Sequence, residues 1–261
     1  MSAQVSEAIT SIVVEALVFL PVILVTWLAT KRHKAADLKI NFPNPRREAL
    51  LSIAVVLSIA VILTIFIFSL YQRAGGPIGT PTQFHPSGAL SQWVIYGVLF
   101  IFPVFAVIRM RHQGLETVGI TKKNAWFSTG LSVVLALGLA VFVTPIISNG
   151  RNVFTSSALY GFIYFLAVGF GEELLFRGYL QTRCVSWLGA VKGLVLASLI
   201  MAFMHLPQRL FGAGLDPVQA IASAASLIPF SLAAGFLMLR TKNTLGPAAM
   251  HTILDWISSI V

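Results

Sequence analysis

Apolar runs of about 20 residues recur along this chain, and each is long enough to cross a hydrocarbon layer about 30 Å thick. Lipid offers no water to the N–H and C=O groups of a spanning segment, so the segment must close its own hydrogen bonds as a helix. Eight spans are predicted, at 9–30, 49–71, 90–108, 126–148, 158–176, 190–206, 218–239 and 245–261. The expected fold is therefore all-α, a polytopic membrane protein of about eight transmembrane helices, and the polar residues discussed below place a polar intramembrane cavity among them. Charge content agrees. Only 10% of residues are charged, whereas a soluble domain carries about 25%.

A formal charge of +9 raises the question of nucleic acid, and the placement of the basic residues answers it. No DNA- or RNA-binding motif is present, and Lys and Arg fall between the apolar runs. Lys31, Arg32, Lys34, Lys39, Arg46 and Arg47 follow span one, and Arg109, Arg111, Lys122 and Lys123 follow span three. Arg177, Arg183 and Lys192 lie in or near the connection of spans five and six, and Arg240 and Lys242 follow span seven. Only Arg73, Arg151 and Arg209 fall on the other side. The positive-inside rule puts the larger group in the cytoplasm and both termini outside. The N-terminus MSAQVSE lacks a basic n-region, so the first run is expected to be retained as a span. The single cysteine, Cys184, excludes an intramolecular disulfide and a multi-cysteine metal site. It lies near the expected tip of the hairpin formed by spans five and six, and should face the cytoplasm.

No soluble domain fits between the spans. The longest connectors are 31–48 and 72–89, the second rich in Gly and Pro and expected to be irregular. No internal repeat of the transporter kind is visible. Residues 1–157 carry no recognisable motif, and the chemistry-bearing residues concentrate in 158–261.

Charged or titratable groups inside apolar runs are costly and therefore informative, at roughly 2.5–3.5 kcal/mol each for charges at mid-membrane. They are Glu15, Glu172, Glu173, Arg177, His205, His251 and Asp255. Glu15 is near the outer end of span one and is expected to reach the headgroups. In GEELLFRGYL, Glu173 and Arg177 stand i,i+4 on one face in the favourable acid-first order. Glu172 is turned about 100° away. If Arg177 neutralises Glu173, Glu172 is left free to serve as a base for water. Glu172 and His205 lie equally far from the expected tip at Trp187-Leu188-Gly189, so they should meet at one depth. His251 and Asp255 share a face of span eight, either as a self-satisfied pair or as the wall opposite Glu172. One glutamate, two histidines and one aspartate suffice to activate water and stabilise an oxyanion. The same donors are also competent zinc ligands, although no H-E-x-x-H occurs.

These motifs resemble the CAAX protease and bacteriocin-processing family of intramembrane endopeptidases, relatives of the type II CAAX prenyl endopeptidase. GEELLFRGYL is similar to its E-E-x-x-x-R signature, His205 matches the histidine of F-x-x-x-H, and His251-Thr-Ile-Leu-Asp255 matches H-x-x-x-N/D. Two positions depart from the pattern: Met201 replaces the phenylalanine, and Asp255 stands where asparagine is usual. An ionised aspartate cannot donate a hydrogen bond. The resemblance implies an intramembrane endopeptidase whose cavity opens to the cytosol, with Glu172 and His205 activating water and His251 and Asp255 on the carbonyl side. It implies the lipid bilayer and a prenylated or hydrophobic peptide as partners. It leaves open a divalent metal such as zinc on Glu172, His205 and His251, although a metal-free glutamate mechanism is favoured because Arg177 ties up one of the two carboxylates. The alternatives are a non-catalytic peptide-binding or bacteriocin-immunity protein and, less well supported, a transporter.

Overall fold

The computed structural model describes residues 3–32, 42–79, 81, 83–143 and 155–260. Eight helical rods follow one another: α1 Ala3–Thr30, α2 Pro45–Ala74, α3 Pro86–Met110, α4 Ala125–Val143, α5 Ser156–Leu188, α6 Ala190–Gly212, α7 Pro217–Thr241 and α8 Leu245–Ile260. No strand occurs among the described residues. Six of these rods, all but α4 and α8, are long and apolar enough to span a membrane. The apolar part of α4, Ala125–Val141, is shorter, and residues 144–148 of that predicted span lie outside the described residues, as do Lys34, Lys39 and Arg151. The chain is an integral membrane protein.

Its surface is the apolar part. Leu17, Leu20 and Leu24 on α1, and Val61 and Ile65 on α2, are exposed, whereas Glu172, Glu173, Arg177, Gln181 and Arg183 are buried. In lipid an apolar side chain gains little by burial against a neighbour, so close backbone approach and interhelical hydrogen bonds must hold the rods together. Two glycines of α5 provide that approach. A Cβ on Gly169 would lie 2.9 Å from the Ala248 carbonyl oxygen of α8, and one on Gly171 would lie 2.7 Å from the Tyr96 ring of α3. These positions seat α8 and α3 against the stretch that carries Glu172 and Glu173.

Helix α5 runs past the expected end of span five. It widens into a π-helix over Leu174–Gln181, then continues as α-helix to Leu188. Arg177 and Arg183 are consequently not in a connector but fully buried, and the connection to α6 shrinks to Gly189, whose φ of 79° suits glycine. Cys184 is buried as well, so it cannot report on the cytoplasmic face. Of two further π segments, Gly97–Ile101 interrupts α3 and Gln208–Gly212 ends α6.

One end of the bundle is laced shut by polar contacts. Glu48 takes an ion pair from Arg111 at 2.6 Å and a hydrogen bond from Gln113 at 2.9 Å, and Arg183 donates to Gln113 in turn. Arg183 also lies over the Tyr179 ring, 4.1 Å from its centre. Asn243 donates to the carbonyls of Thr121 and Lys123, Thr244 to that of Val118 at 2.6 Å, and Arg240 to Thr30. This latch joins the C-terminal ends of α1, α3 and α7 to the N-terminal ends of α2, α4 and α8. At the other end the contacts are fewer and more apolar: Phe211 against Phe68 and Tyr71, Trp93 donating to the Ile163 carbonyl, and Trp256 to that of Ala158.

Candidate active site

Between the rods lies a cavity of about 840 Å³, within the range of about 300–1,000 Å³ usual for ligand pockets. Glu172, His205, His251 and Asp255 all line it. Its floor holds buried Glu172, Val168 and Met201, and its exposed rim includes Val14, Pro81, Gln208 and Ser258. Each rim residue belongs to the end opposite the polar latch. The mouth thus opens at the end where α1 starts and α8 finishes. Cytosolic access, implied by the family resemblance, and an outside location of both termini, expected from the basic residues, therefore exclude one another.

The two adjacent glutamates diverge as helical geometry requires, and each faces a histidine. Glu173 pairs through Oε2 with Arg177 Nε at 3.0 Å, the i,i+4 contact surviving the change to π winding. Its other oxygen lies 3.0 Å from Nδ1 of His251, a contact that the pairing with Arg177 alone does not anticipate. Glu172 accepts a hydrogen bond from the Tyr96 hydroxyl on Oε1 at 2.9 Å. Its Oε2 lies 3.6 Å from Nε2 of His205 and takes no hydrogen bond from the protein.

The two histidines are held differently. His205 Nδ1 lies 2.9 Å from the Met201 carbonyl oxygen. A carbonyl only accepts, so Nδ1 carries the proton and Nε2 is turned toward Glu172. His251 sits between carboxylates, with Nδ1 on Glu173 and Nε2 at 3.3 Å from Asp255 Oδ2. The ring can donate to both only as an imidazolium. Its edge-on contact with Phe230, 4.8 Å between centres, fixes the plane. Asp255 is the most exposed of the four.

Several lining groups escape a reading of motifs. Tyr96 is one, because a tyrosine in an apolar helix without a motif reads as packing. Arg209 is another: α6 continues as a π segment beyond the predicted end at 206, which turns a supposed connector residue into a wall residue within electrostatic reach of Asp255 and Glu172. The i,i+4 spacing from His205 was the available signal. Glu15 also lines the cavity.

The donor set does not suit zinc as it stands. No three His, Cys, Asp or Glu side chains among the described residues form a metal-binding group. Both nitrogens of His251 are already directed at carboxylates, so a metal on this ring would have to displace Glu173 or Asp255.

Fold and site together define a class: a polytopic membrane protein with ionisable groups from five helices collected in an intramembrane pocket. Residues 154–257 match the type II CAAX prenyl endopeptidase Rce1-like family. The match runs from the start of α5 to the last turns of α8 and contains all four residues above. No curated protein and no solved structure matches the chain.

Proposed function

We propose that the chain is an intramembrane endopeptidase that hydrolyses a lipidated or hydrophobic peptide with water activated by Glu172 and His205. The carrying observation is the approach of Glu172 Oε2, free of protein donors, to His205 Nε2 at 3.6 Å on the cavity wall. Two acceptors that converge in this way can orient one water for attack. Tyr96 holds the other carboxylate oxygen, so the free one is aimed rather than mobile.

In this mechanism the water oxygen bonds to the peptide carbonyl carbon as Glu172 takes the proton. The carbonyl π electrons move to oxygen, and the His251 imidazolium stabilises the resulting oxyanion. Glu173 anchors the far side of the ring, and the longer contact to Asp255 yields one N–H to the substrate. Collapse of the intermediate breaks the C–N bond, and Glu172 returns its proton to the departing amine. Asp255 then serves as the resting partner of His251 rather than as an oxyanion donor. Preorganised donors of this kind act strongly where water is excluded. No step is routed through a metal.

The test uses purified protein and a fluorescent farnesylated peptide, with its unprenylated counterpart alongside. Wild type should cleave at least one of them, and Glu172→Gln should bind but not cleave. Binding by wild type without turnover of either peptide would instead favour the peptide-binding reading.

A further inference from the structure

The cavity mouth and the basic residues lie at opposite ends of the bundle. The latched end carries Arg46–Arg47, Lys122–Lys123 and Arg240 with Lys242 in or beside its short connections. Among the described residues, the mouth end carries Arg73 and Arg209, and Arg209 is a wall residue of the cavity itself. Arg177, which sits mid-helix against Glu173, belongs to neither end and leaves the imbalance intact. Short connectors are where Lys and Arg bias orientation most strongly, and they favour the cytoplasm.

We propose that the latched end is cytoplasmic and that the cavity opens to the extracytoplasmic side. The inference rests on the peptidase reading only for what enters the cavity. The substrate class is then a peptide or lipid-anchored protein presented at the outer leaflet after translocation, with an apolar segment. The lining supports an apolar occupant: Val14, Val18 and Phe19 of α1, with Leu139 of α4 and Leu254 of α8, face the same space as the ionisable groups. A ligand arriving from the cytoplasm would instead meet the ion-paired, hydrogen-bonded lacing around Glu48 and Asn243.

Single-cysteine labelling tests the orientation without reference to activity. In a Cys184→Ala background expressed in a bacterial cytoplasmic membrane, Gln72→Cys reports the mouth end and Lys122→Cys the latched end. Both positions are exposed. A membrane-impermeant maleimide should label the first in intact spheroplasts and the second only after lysis. Labelling of Lys122→Cys in intact spheroplasts, alone or together with Gln72→Cys, overturns the proposal.

The substrate side is tested with a membrane-impermeant quenched peptide containing an apolar segment. Right-side-out vesicles should cleave it at least tenfold faster than inverted ones. Faster cleavage by inverted vesicles overturns the proposal even when labelling agrees. If labelling comes out as expected while detergent-solubilised protein cleaves nothing, the peptidase reading fails and the extracytoplasmic mouth stands.

Discussion

Glu173 and His251, 78 residues apart in the chain, meet at 3.0 Å between Oε1 and Nδ1, while the second oxygen of the same carboxylate holds Arg177 at 3.0 Å. One fully buried carboxylate thus answers to two cations from two helices. Glu173 is a positioning residue in this arrangement, distinct from the neighbouring Glu172 that faces the cavity.

Glu173→Gln should therefore show two separable defects. Removing one member of a buried ion pair costs about 3–5 kcal/mol, which thermal unfolding in detergent would record as a lowered Tm. Adding Arg177→Met removes the orphaned cation and should recover much of the Tm. It should not recover kcat, because His251 remains unanchored. Recovery of both would reduce Glu173 to a structural role.

Glu172→Gln keeps shape and volume but cannot accept a proton from water. Its Tm should stay near wild type while kcat falls by at least the 10²–10⁴-fold typical of a positioned base. His205→Ala should lose a similar amount, and the double variant should be little worse, since members of one unit are not additive. Substantial turnover by Glu172→Gln would remove the assignment.

Tyr96→Phe deletes the hydroxyl that donates to Glu172 Oε1. Leaving a buried acceptor without its donor costs about 1–3 kcal/mol, so kcat should fall roughly tenfold or more. KM should move little, because the hydroxyl orients the base rather than contacting the substrate. A change confined to KM would place Tyr96 in binding instead.

Chelation separates the two chemistries that the donor set raises. Prolonged dialysis against a strong chelator should leave turnover unchanged, with metal content followed by mass spectrometry in the same samples. Loss of activity restored by zinc, together with lower metal content in Glu172→Gln, would require the side chains around His251 to rearrange into ligands.

Gly169→Ala probes how α8 is held. The added methyl meets the Ala248 carbonyl and Thr252 and must push α8 away from α5. Both Tm and turnover should drop, while Gly130→Ala, where a methyl meets nothing within 4 Å, should change neither.

Different parts of this arrangement were legible to different degrees, for physical reasons. Spans follow from the inability of lipid to solvate a peptide bond, so the order of helices could be read from apolar runs. The Glu173–Arg177 pair follows from i,i+4 geometry on one helix. The meeting of Glu172 with His205 follows from equal arm lengths about Gly189. Contacts between helices distant in sequence were not legible in this way. The hold of Glu173 on His251 depends on the approach permitted at Gly169, and the hydrogen bond from Tyr96 on the approach at Gly171. The reach of α5 to Leu188 was hidden because Arg177, Gln181 and Arg183 look like the end of a span. Their burial depends on partners such as Glu173, Gly235 and Gln113, none of which is local to its arginine or glutamine except Glu173.

The polar latch has a mechanical consequence. Helices tied together by an ion pair and a set of carbonyl contacts at one end, and by aromatic edges and scattered hydrogen bonds at the other, are built like a clothes-peg. The stiff end is the one where Glu48, Arg183 and Asn243 are laced together, and the end with less to hold it is the one that carries Pro81, Gln208 and Ser258. Arg177 and the contact of Glu173 with His251 lie deeper than this rim, buried between α5 and α8.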